Sequence, residues 1–408
     1  MVIEGESVKI FATIPLPNKI HEREMDKTDI PGTFNAGATL GPVNETNMAR
    51  IWNKHKQSNT PLKRKVFVGL SGGVDSSVAA YLLQKEGHEV IGVFIKTWHP
   101  DWLPCTWRDE RRSAMRVASQ LNIPFFTLDL EDAYKKGVAD YLIAEYAAGR
   151  TPNPDVMCNK EVKFGAFYEW ARAHGADYIA TGHYARTKCK SGDGGLYAAQ
   201  DENKDQTYFL WAIPSTVLAR TFFPIGDYTK DMVRSIAGKA GLATAEKKDS
   251  QGICFLGEVN MKEFLEHYID IQPGVVLNTS GEPIGTHDGA LLYTIGQRHG
   301  FTIHKKGTDS PALYVVSKNV KDNTITVSAS FEKVESDVVT VKDVNWNTGE
   351  MPGGTQLMCR VRYRQRLMPC EIVDDNSVRM IGAHEPATPG QSLVIYDGER
   401  CLGGGVIV

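Results

Sequence analysis

Apolar and polar positions change rhythm three times along the chain. Val66-Phe-Val-Gly-Leu70 is a short continuous apolar run, which fits a strand covered on both faces. Ser76 to Lys85 then has helical spacing, with Val78, Tyr81 and Leu82 on the inward side. The alternation continues with strands over Glu89 to Ile95, Pro124 to Leu130 and Tyr178 to Thr181. Helices are predicted over Arg111 to Leu121, Ala133 to Ala148 and Lys163 to His174. Strands alternating with helices imply an α/β fold, a doubly wound parallel sheet with helices on both faces. Past about residue 225 the pattern turns helical and mixed, with Met232 to Ala240 and Met261 to Tyr268 as helices. From about residue 290 short strands separated by turn residues take over: Ala312 to Ser317, Thr324 to Ser328, Val338 to Val341, Leu357 to Tyr363, Ser377 to Ile381 and Ser392 to Tyr396. They predict a small C-terminal β-barrel. The expected division is 1–62, an extension rich in turn formers with no assigned role; 63–225, the sheet domain; 226–289, a small mixed α/β central domain; and 290–408, the barrel.

Composition narrows the class. Of 408 residues, 42% are apolar and 23% charged, the profile of a folded globular chain. No apolar stretch approaches the roughly 18 residues of a membrane span, so no membrane partner is expected. The net charge of −3 excludes an all-basic surface but not a local basic patch. Seven dispersed cysteines without a C-x-x-C spacing argue against a disulfide framework and a zinc ribbon. Residues 1–30 interleave acids and bases with no apolar leader, so no signal or transit peptide is read and a cytoplasmic location is expected.

Chemistry concentrates first in Ser71-Gly-Gly-Val-Asp-Ser76, between the first buried strand and its helix. Two glycines let the backbone approach phosphate oxygens, and the helix N-terminus favours an anion. Asp75 is placed to carry Mg²⁺ bridging phosphates; no metal site made of protein groups alone is expected. The Walker ending Gly-Lys-Ser/Thr and the spacing G-x-G-x-x-G are both absent. The hexapeptide resembles the pyrophosphatase loop (PP-loop) of the N-type ATP pyrophosphatases, which cleave ATP to AMP and pyrophosphate to activate a carbonyl oxygen.

Two cysteine segments follow. Gly149-Arg-Thr-Pro-Asn-Pro-Asp-Val-Met-Cys-Asn-Lys160 reads as a proline-punctuated loop with Asp155 three residues before Cys158. In Lys247-Lys-Asp-Ser-Gln-Gly-Ile-Cys-Phe255 two lysines precede Cys254, and nearby cations raise the thiolate fraction of a cysteine. Arg360, Arg362, Arg364 and Arg366 alternate with other residues and predict a ladder on one strand face, suited to successive phosphates.

Together these segments resemble the tRNA-specific 2-thiouridylase family (MnmA and its mitochondrial relatives). Further matching stretches are Gly69-Leu-Ser71, Ala180-Thr-Gly-His-Tyr184, Asn203-Lys-Asp-Gln-Thr-Tyr-Phe209 and Tyr293-Thr-Ile-Gly-Gln-Arg-His299. Arg362-Tyr-Arg-Gln365, Thr388-Pro-Gly-Gln391 and Cys401-Leu-Gly-Gly-Gly405 complete the set. The resemblance implies ATP-dependent 2-thiolation of the wobble uridine in tRNA for Lys, Glu and Gln, by a transferase. It implies Cys158 as nucleophile, Cys254 as persulfide carrier and Asp155 as general acid or base. Gly69, Leu70, Ser71, Gly72, Gly73, Val74, Asp75, Ser76, Ile95 and Gly182 would hold ATP with Mg²⁺. Asn153, Pro154 and Asp155 would meet the target base. His183, Lys204, Asp205, Gln206, Arg362, Tyr363 and Gln391 would touch tRNA. The implied sulfur donor is a cysteine desulfurase, directly or through a sulfur-carrier protein.

The chain departs from the family pattern in the residues that precede the core, in Trp98-His-Pro-Asp-Trp-Leu-Pro-Cys-Thr-Trp107, and in Gln251 after Ser250. Three other readings of the same residues stay open. A PP-loop ligase activating a small-molecule carbonyl for ammonia attack would not need Cys158 or Cys254. A non-catalytic RNA-binding protein would show damage in Ser71 to Ser76 or at Asp155, and none is present. Asp155, Cys158 and Cys254 also suit an iron–sulfur cluster with one open site.

Overall fold

The computed structural model describes residues 10–13, 63–103, 107–187, 194–248, 261–304, 311–330, 334–353 and 356–408. The first layer is a six-stranded sheet. Strands β1 (Ile10–Thr13), β2 (Lys65–Gly69), β3 (Glu89–Lys96), β4 (Phe125–Asp129) and β5 (Tyr178–Ala180) precede a small hairpin of β6 (Arg186–Thr187) and β7 (Leu196–Tyr197). β8 (Thr221–Phe222) then rejoins the sheet. The order is β1-β4-β3-β2-β5-β8, parallel except for β1, which pairs antiparallel with β4 at the edge. β2 shows why the sheet is double-faced. Val66 and Val68 enter one core with Val78, Ala79 and Leu83 of the helix Val74–Lys85, while Phe67 enters the other with Leu142, Phe167 and Trp170. Each fully buried side chain of this kind contributes roughly 1.5–3 kcal/mol. The chain steps from β2 to β3 and β4 in one direction, then places β5 on the other side of β2. That reversal opens a crevice at the carboxyl ends of β2 and β5, where open α/β sheets bind ligands.

The second sheet holds β9 (Gly274–Leu277), β10 (Pro283–His287), β11 (Phe301–Ile303), β12 (Tyr314–Asn319) and β13 (Thr324–Ser328), ordered β11-β10-β9-β13-β12. The division expected at 289/290 falls between β10 and β11, which pair in this sheet. The third unit holds β14 (Val334–Trp346), β15 (Leu357–Arg360), β16 (Met368–Asp374), β17 (Ser377–His384), β18 (Ser392–Asp397) and β19 (Arg400–Ile407). β14 pairs with both β17 and β19, so the barrel closes, and β7 adds to it through Arg400 and Cys401. The expected parallel sheet, mixed middle and terminal barrel are all present. One hydrophobic core runs through all three units, from Phe67 and Leu142 through Phe264 and Leu291 to Val394 and Val406.

The arginine ladder does not form. The strand expected to reach Tyr363 ends at Arg360, because the Gln365 side-chain oxygen accepts hydrogen bonds from the Val361 and Arg362 amides at 2.9 and 3.2 Å and folds the chain into a turn. Arg364 there has φ +62°. Arg360 points inward, 3.3 Å from Asp205 and 4.6 Å from the Tyr396 ring centroid.

The barrel grips the loop that leads into the segment of Asp155 and Cys158. Thr151 N–H donates to the Pro389 carbonyl at 3.0 Å, and Gln391 Nε2 donates to the Thr151 carbonyl at 2.8 Å. Between them Gly390 has φ +90°, and a Cβ there would lie 2.8 Å from the Thr151 carbonyl carbon and oxygen. Gly390→Ala is therefore expected to melt well below Gly398→Ala, a site with φ +53° and open space around it. The left-handed conformation alone costs about 1–2 kcal/mol, and only Gly390 adds the backbone collision. Thermal unfolding of the two variants checks this.

Candidate active site

The PP-loop sits where the topology predicts a ligand. It leaves β2 after Gly69 and enters the helix Val74–Lys85, whose N-cap Gly73 provides no side chain. The free amides of that first turn and the helix dipole face the crevice at the sheet's carboxyl edge. Gly72 takes φ +77°, and a Cβ there would come 2.4 Å from the Glu110 carbonyl oxygen. Gly182, just past β5, lies against the loop so closely that a Cβ would be 2.5 Å from Ser76 N. Both glycines are thus required by contact. Ser71, Ser76 and Ser77 brace the loop: Ser76 Oγ is 3.2 Å from Ser71 Oγ, and Ser77 Oγ donates to the Gly73 carbonyl at 2.7 Å. Leu70 and Val74 are buried beneath it, and Ile95 is half-buried near the end of the neighbouring strand β3. The loop carries no lysine of its own, but two arrive from elsewhere. Lys230 Nζ lies 2.8 and 2.9 Å from the Asp75 carboxylate oxygens, which also accept from Tyr184 Oη at 2.9 Å. Lys247 Nζ donates to the Gly72 carbonyl at 3.0 Å.

The second element is the segment from Gly149 to Phe164. The expected loop ends at Asn153, because Asn-Pro here starts a helix. The Asn153 side chain accepts from the Asp155 and Val156 amides at 3.2 and 3.4 Å, with Pro154 at the first helical position. The helix Pro154–Met157 then widens into a π-helix over Cys158–Ala166. Cys158 is 3% exposed at the start of that wide turn, and Asp155 is half-buried one turn earlier. Loss of solvent raises the Asp155 carboxyl above its ordinary range, and Lys163 opposes the rise. Lys163 is also one of the two causes that hold His183 well below its usual value, after burial. His183 is thereby a neutral ring, within 2.8 Å of Thr181 Oγ1 and packed beside Phe164 and Phe223. Lys163 was not singled out by motif reasoning; it follows Cys158 by five residues, the repeat of a π-turn.

A bridge joins this helix to the barrel. Asn159 Nδ2 donates to the Phe209 carbonyl at 3.0 Å, and the Phe209 ring lies 4.5 Å from that of Tyr363. Arg362 is held by Glu385 at 2.9 Å and by the Ile295 carbonyl at 2.9 Å. Lys204 is half-buried beside this bridge. Asp205 is 5% exposed and turned inward, accepting from Thr207 Oγ1 at 2.7 Å and from Ala199 N at 3.1 Å. Gln206 accepts from Tyr184 N at 2.9 Å. In this arrangement Asp205, Gln206 and Gln391 hold protein backbone together. Cys254 and most of its segment lie outside the described residues; Lys247 and Lys248 are the last described residues before it.

Comparison with known proteins follows the same division. Residues 64–258 match the tRNA methyl transferase HUP domain, 262–329 the tRNA methyl transferase PRC-barrel domain and 336–407 the aminomethyltransferase beta-barrel domain. The chain is 46% identical to the tRNA-specific 2-thiouridylase MnmA of Bacillus cytotoxicus over 358 residues, which cover 85% of this chain and 95% of that protein. The MnmA of Bacillus cereus strain ATCC 14579 is also 46% identical over 358 residues, with the same coverage. The chain belongs to the tRNA-specific 2-thiouridylase family. Among solved structures, the U34-tRNA thiolase NcsA of Methanococcus maripaludis with its [4Fe-4S] cluster aligns at a TM-score of 0.35 and 15% identity, covering 55% of this chain and 71% of that one.

The 2-thiouridylase assignment makes the raised Asp155 carboxyl a testable property. A carboxyl raised above its unfolded value stabilises the fold fully below about pH 3.8, and that stabilisation is lost as pH rises through the folded value. At pH 7 the charged group is therefore a burden. Asp155→Asn is expected to melt at or above wild type at pH 7, with the advantage gone below pH 3.8. Melting curves across that range check the sign.

Proposed function

We propose that this chain is an ATP-dependent tRNA sulfurtransferase that replaces the C2 oxygen of the wobble uridine with sulfur. The observation that carries the reading is the placement of Asp155 and Cys158 on one Asn153-capped helical segment, in the same domain as a PP-loop whose glycines are required by contact. The uridine 2-oxygen attacks the α-phosphate of ATP; pyrophosphate leaves and the oxygen becomes part of a good leaving group. The terminal sulfur of a persulfide on Cys254 attacks C2, and AMP departs with the oxygen. Cys158 thiolate then attacks the Cys254 sulfur. The S–S bond to the base breaks, 2-thiouridine is released, and a Cys158–Cys254 disulfide remains for reduction by a thiol. Covalent catalysis thus divides one hard displacement into easier steps.

Asp155, protonated more readily than an ordinary carboxyl, acts as general acid or base toward the uridine N3–H as the 2-oxygen is activated and, with Asn153 and Pro154, borders the target base. ATP is held by the loop from Gly69 to Ser76 with Gly182 and Ile95. Its magnesium would lie near Asp75, whose carboxylate Lys230 and Tyr184 contact. tRNA is received along Lys204, Arg362 and Tyr363, with His183, Asp205, Gln206 and Gln391 supporting that surface. The wobble base must leave its stack to reach Cys158. The sulfur comes from a cysteine desulfurase or a carrier protein.

Nucleoside mass spectrometry of tRNA incubated with ATP, Mg²⁺, cysteine and a cysteine desulfurase tests this. Wild type should form 2-thiouridine, and Cys158→Ser, Cys254→Ser and Asp155→Ala should form none or at least a hundredfold less, on the scale of about 10²–10⁴ for a lost acid–base group. Equal ATP cleavage to AMP by all four proteins, with no thiouridine, would favour the ammonia-ligase reading. An iron-dependent visible band lost in either cysteine variant would favour the cluster.

A further inference from the structure

The three units meet around a cavity of about 300 Å³ that the reaction above does not use. Its walls include Thr151 from the loop before Asp155, Ile295 from the connection between β10 and β11, Lys318 from β12, and Thr388 and Pro389 from the barrel unit. Lys318 is the cation of this lining. Its ammonium donates to the Tyr293 carbonyl at 2.5 Å, and among the described residues no carboxylate pairs with it. An ammonium has three N–H donors, so two remain for another acceptor. A cation taken from water without a counter-ion is costly and favours any anion that reaches it. Burial alone brings its pKa down to about 8, with no opposing charge among the causes. The other polar side chains of the wall are the hydroxyls of Thr151, Ser317 and Thr388, and the Arg362 guanidinium adjoins Thr388. Thr151 Oγ1 lies 3.3 Å from Thr294 Oγ1, and Thr388 Oγ1 lies 3.4 Å from Arg362 Nη2. Glu385, the nearby acid, is occupied by Arg362 Nη1 at 2.9 Å.

We propose that this junction cavity receives a phosphate group, bound by Lys318 with the Thr151 and Thr388 hydroxyls. The lining offers donors and a positive charge and no free carboxylate among the described residues, which suits a phosphate and opposes a metal ion. Its first source, resting on the proposed function, is a backbone phosphate of tRNA, because Arg362 lies at the same junction. A free inorganic phosphate would use the same groups. Since Thr151 forms one wall, occupancy also braces the loop that leads to Asp155 and Cys158.

The test uses the full chain, wild type and Lys318→Met, with Lys318→Arg as the charge-retaining control. tRNA affinity is measured from 50 to 200 mM salt. Separately, the titration midpoint of the Lys318 amine is followed by pH-dependent amine labelling, with and without inorganic phosphate. Loss of one phosphate contact should lower the slope of log affinity against log salt by about 0.9, so the affinity gap between wild type and Lys318→Met narrows roughly threefold across that range. Lys318→Arg should keep the wild-type slope. Without anion, Lys318→Met should melt at or above wild type, since a half-buried charge with no carboxylate partner is gone. A changed slope assigns the site to RNA. An unchanged slope, with phosphate moving the midpoint upward from about 8, assigns it to the free anion. An unchanged slope and midpoint overturns the site, as does a lower melting temperature unaccompanied by either change, which would make Lys318 a structural residue. Failure of wild type to bind tRNA at all would contradict the proposed function, leaving the phosphate titration alone to decide the cavity.

Discussion

The pinning of Thr151 between Pro389 and Gln391 is the constraint on which the rest of the molecule depends. The sheet domain supplies the nucleotide crevice, and the barrel lies far away in sequence. Yet one backbone hydrogen bond, at 3.0 Å, and one from the Gln391 side chain, at 2.8 Å, hold the approach to Asp155 and Cys158 in the barrel's grip. Gly390 is required there because any Cβ would strike the Thr151 backbone. A shared core from Phe67 to Val406 makes the same connection in apolar terms. The segment that carries Asp155 and Cys158 is thereby tied to the barrel. The tie suits the proposed reaction, in which a base would be delivered to the buried Cys158.

Charge in the site is arranged by lysines that the PP-loop motif does not contain. Lys163 acts on two groups in opposite chemical senses. It restrains the rise of Asp155, keeping that carboxyl within reach of ionisation, and it helps burial keep His183 neutral. Lys230 occupies the Asp75 carboxylate from 155 residues away, and Lys247 reaches the Gly72 carbonyl just before the Cys254 segment begins. Long-range cations thus surround a loop whose own side chains are small or acidic, and an arriving polyphosphate would meet them together with the helix amides.

The parts of this arrangement that were legible in the sequence are those with local causes. Val66 to Leu70 declares a strand buried on both faces, and Ser71 to Ser76 declares a turn into a helix. The alternating short strands near the C-terminus declare a barrel. The misread parts have non-local or subtle causes. Asn153-Pro154 looks like continuing loop until the Asn side chain is seen capping the next amides. The arginines from 360 to 366 look like a strand face until Gln365 folds them into a turn. Asp205, which the resemblance implies as a tRNA contact, is buried and paired with Arg360 from the barrel. Pairing between β10 and β11 crosses the division that the change to short strands placed at residue 289. Each of these turns on a partner distant in sequence or on a single side-chain hydrogen bond, and neither leaves a periodic trace.

In the proposed reaction, sulfur reaches the base through two thiols of this chain. That route is tested most directly by peptide mapping after one turnover. The enzyme is first loaded with persulfide, then mixed with ATP, Mg²⁺ and tRNA in the absence of reductant, and its cysteines are mapped against the 2-thiouridine formed. The predicted result is a Cys158–Cys254 disulfide that appears in step with 2-thiouridine and only when both ATP and tRNA are present. Formation of 2-thiouridine with both thiols still free would contradict it.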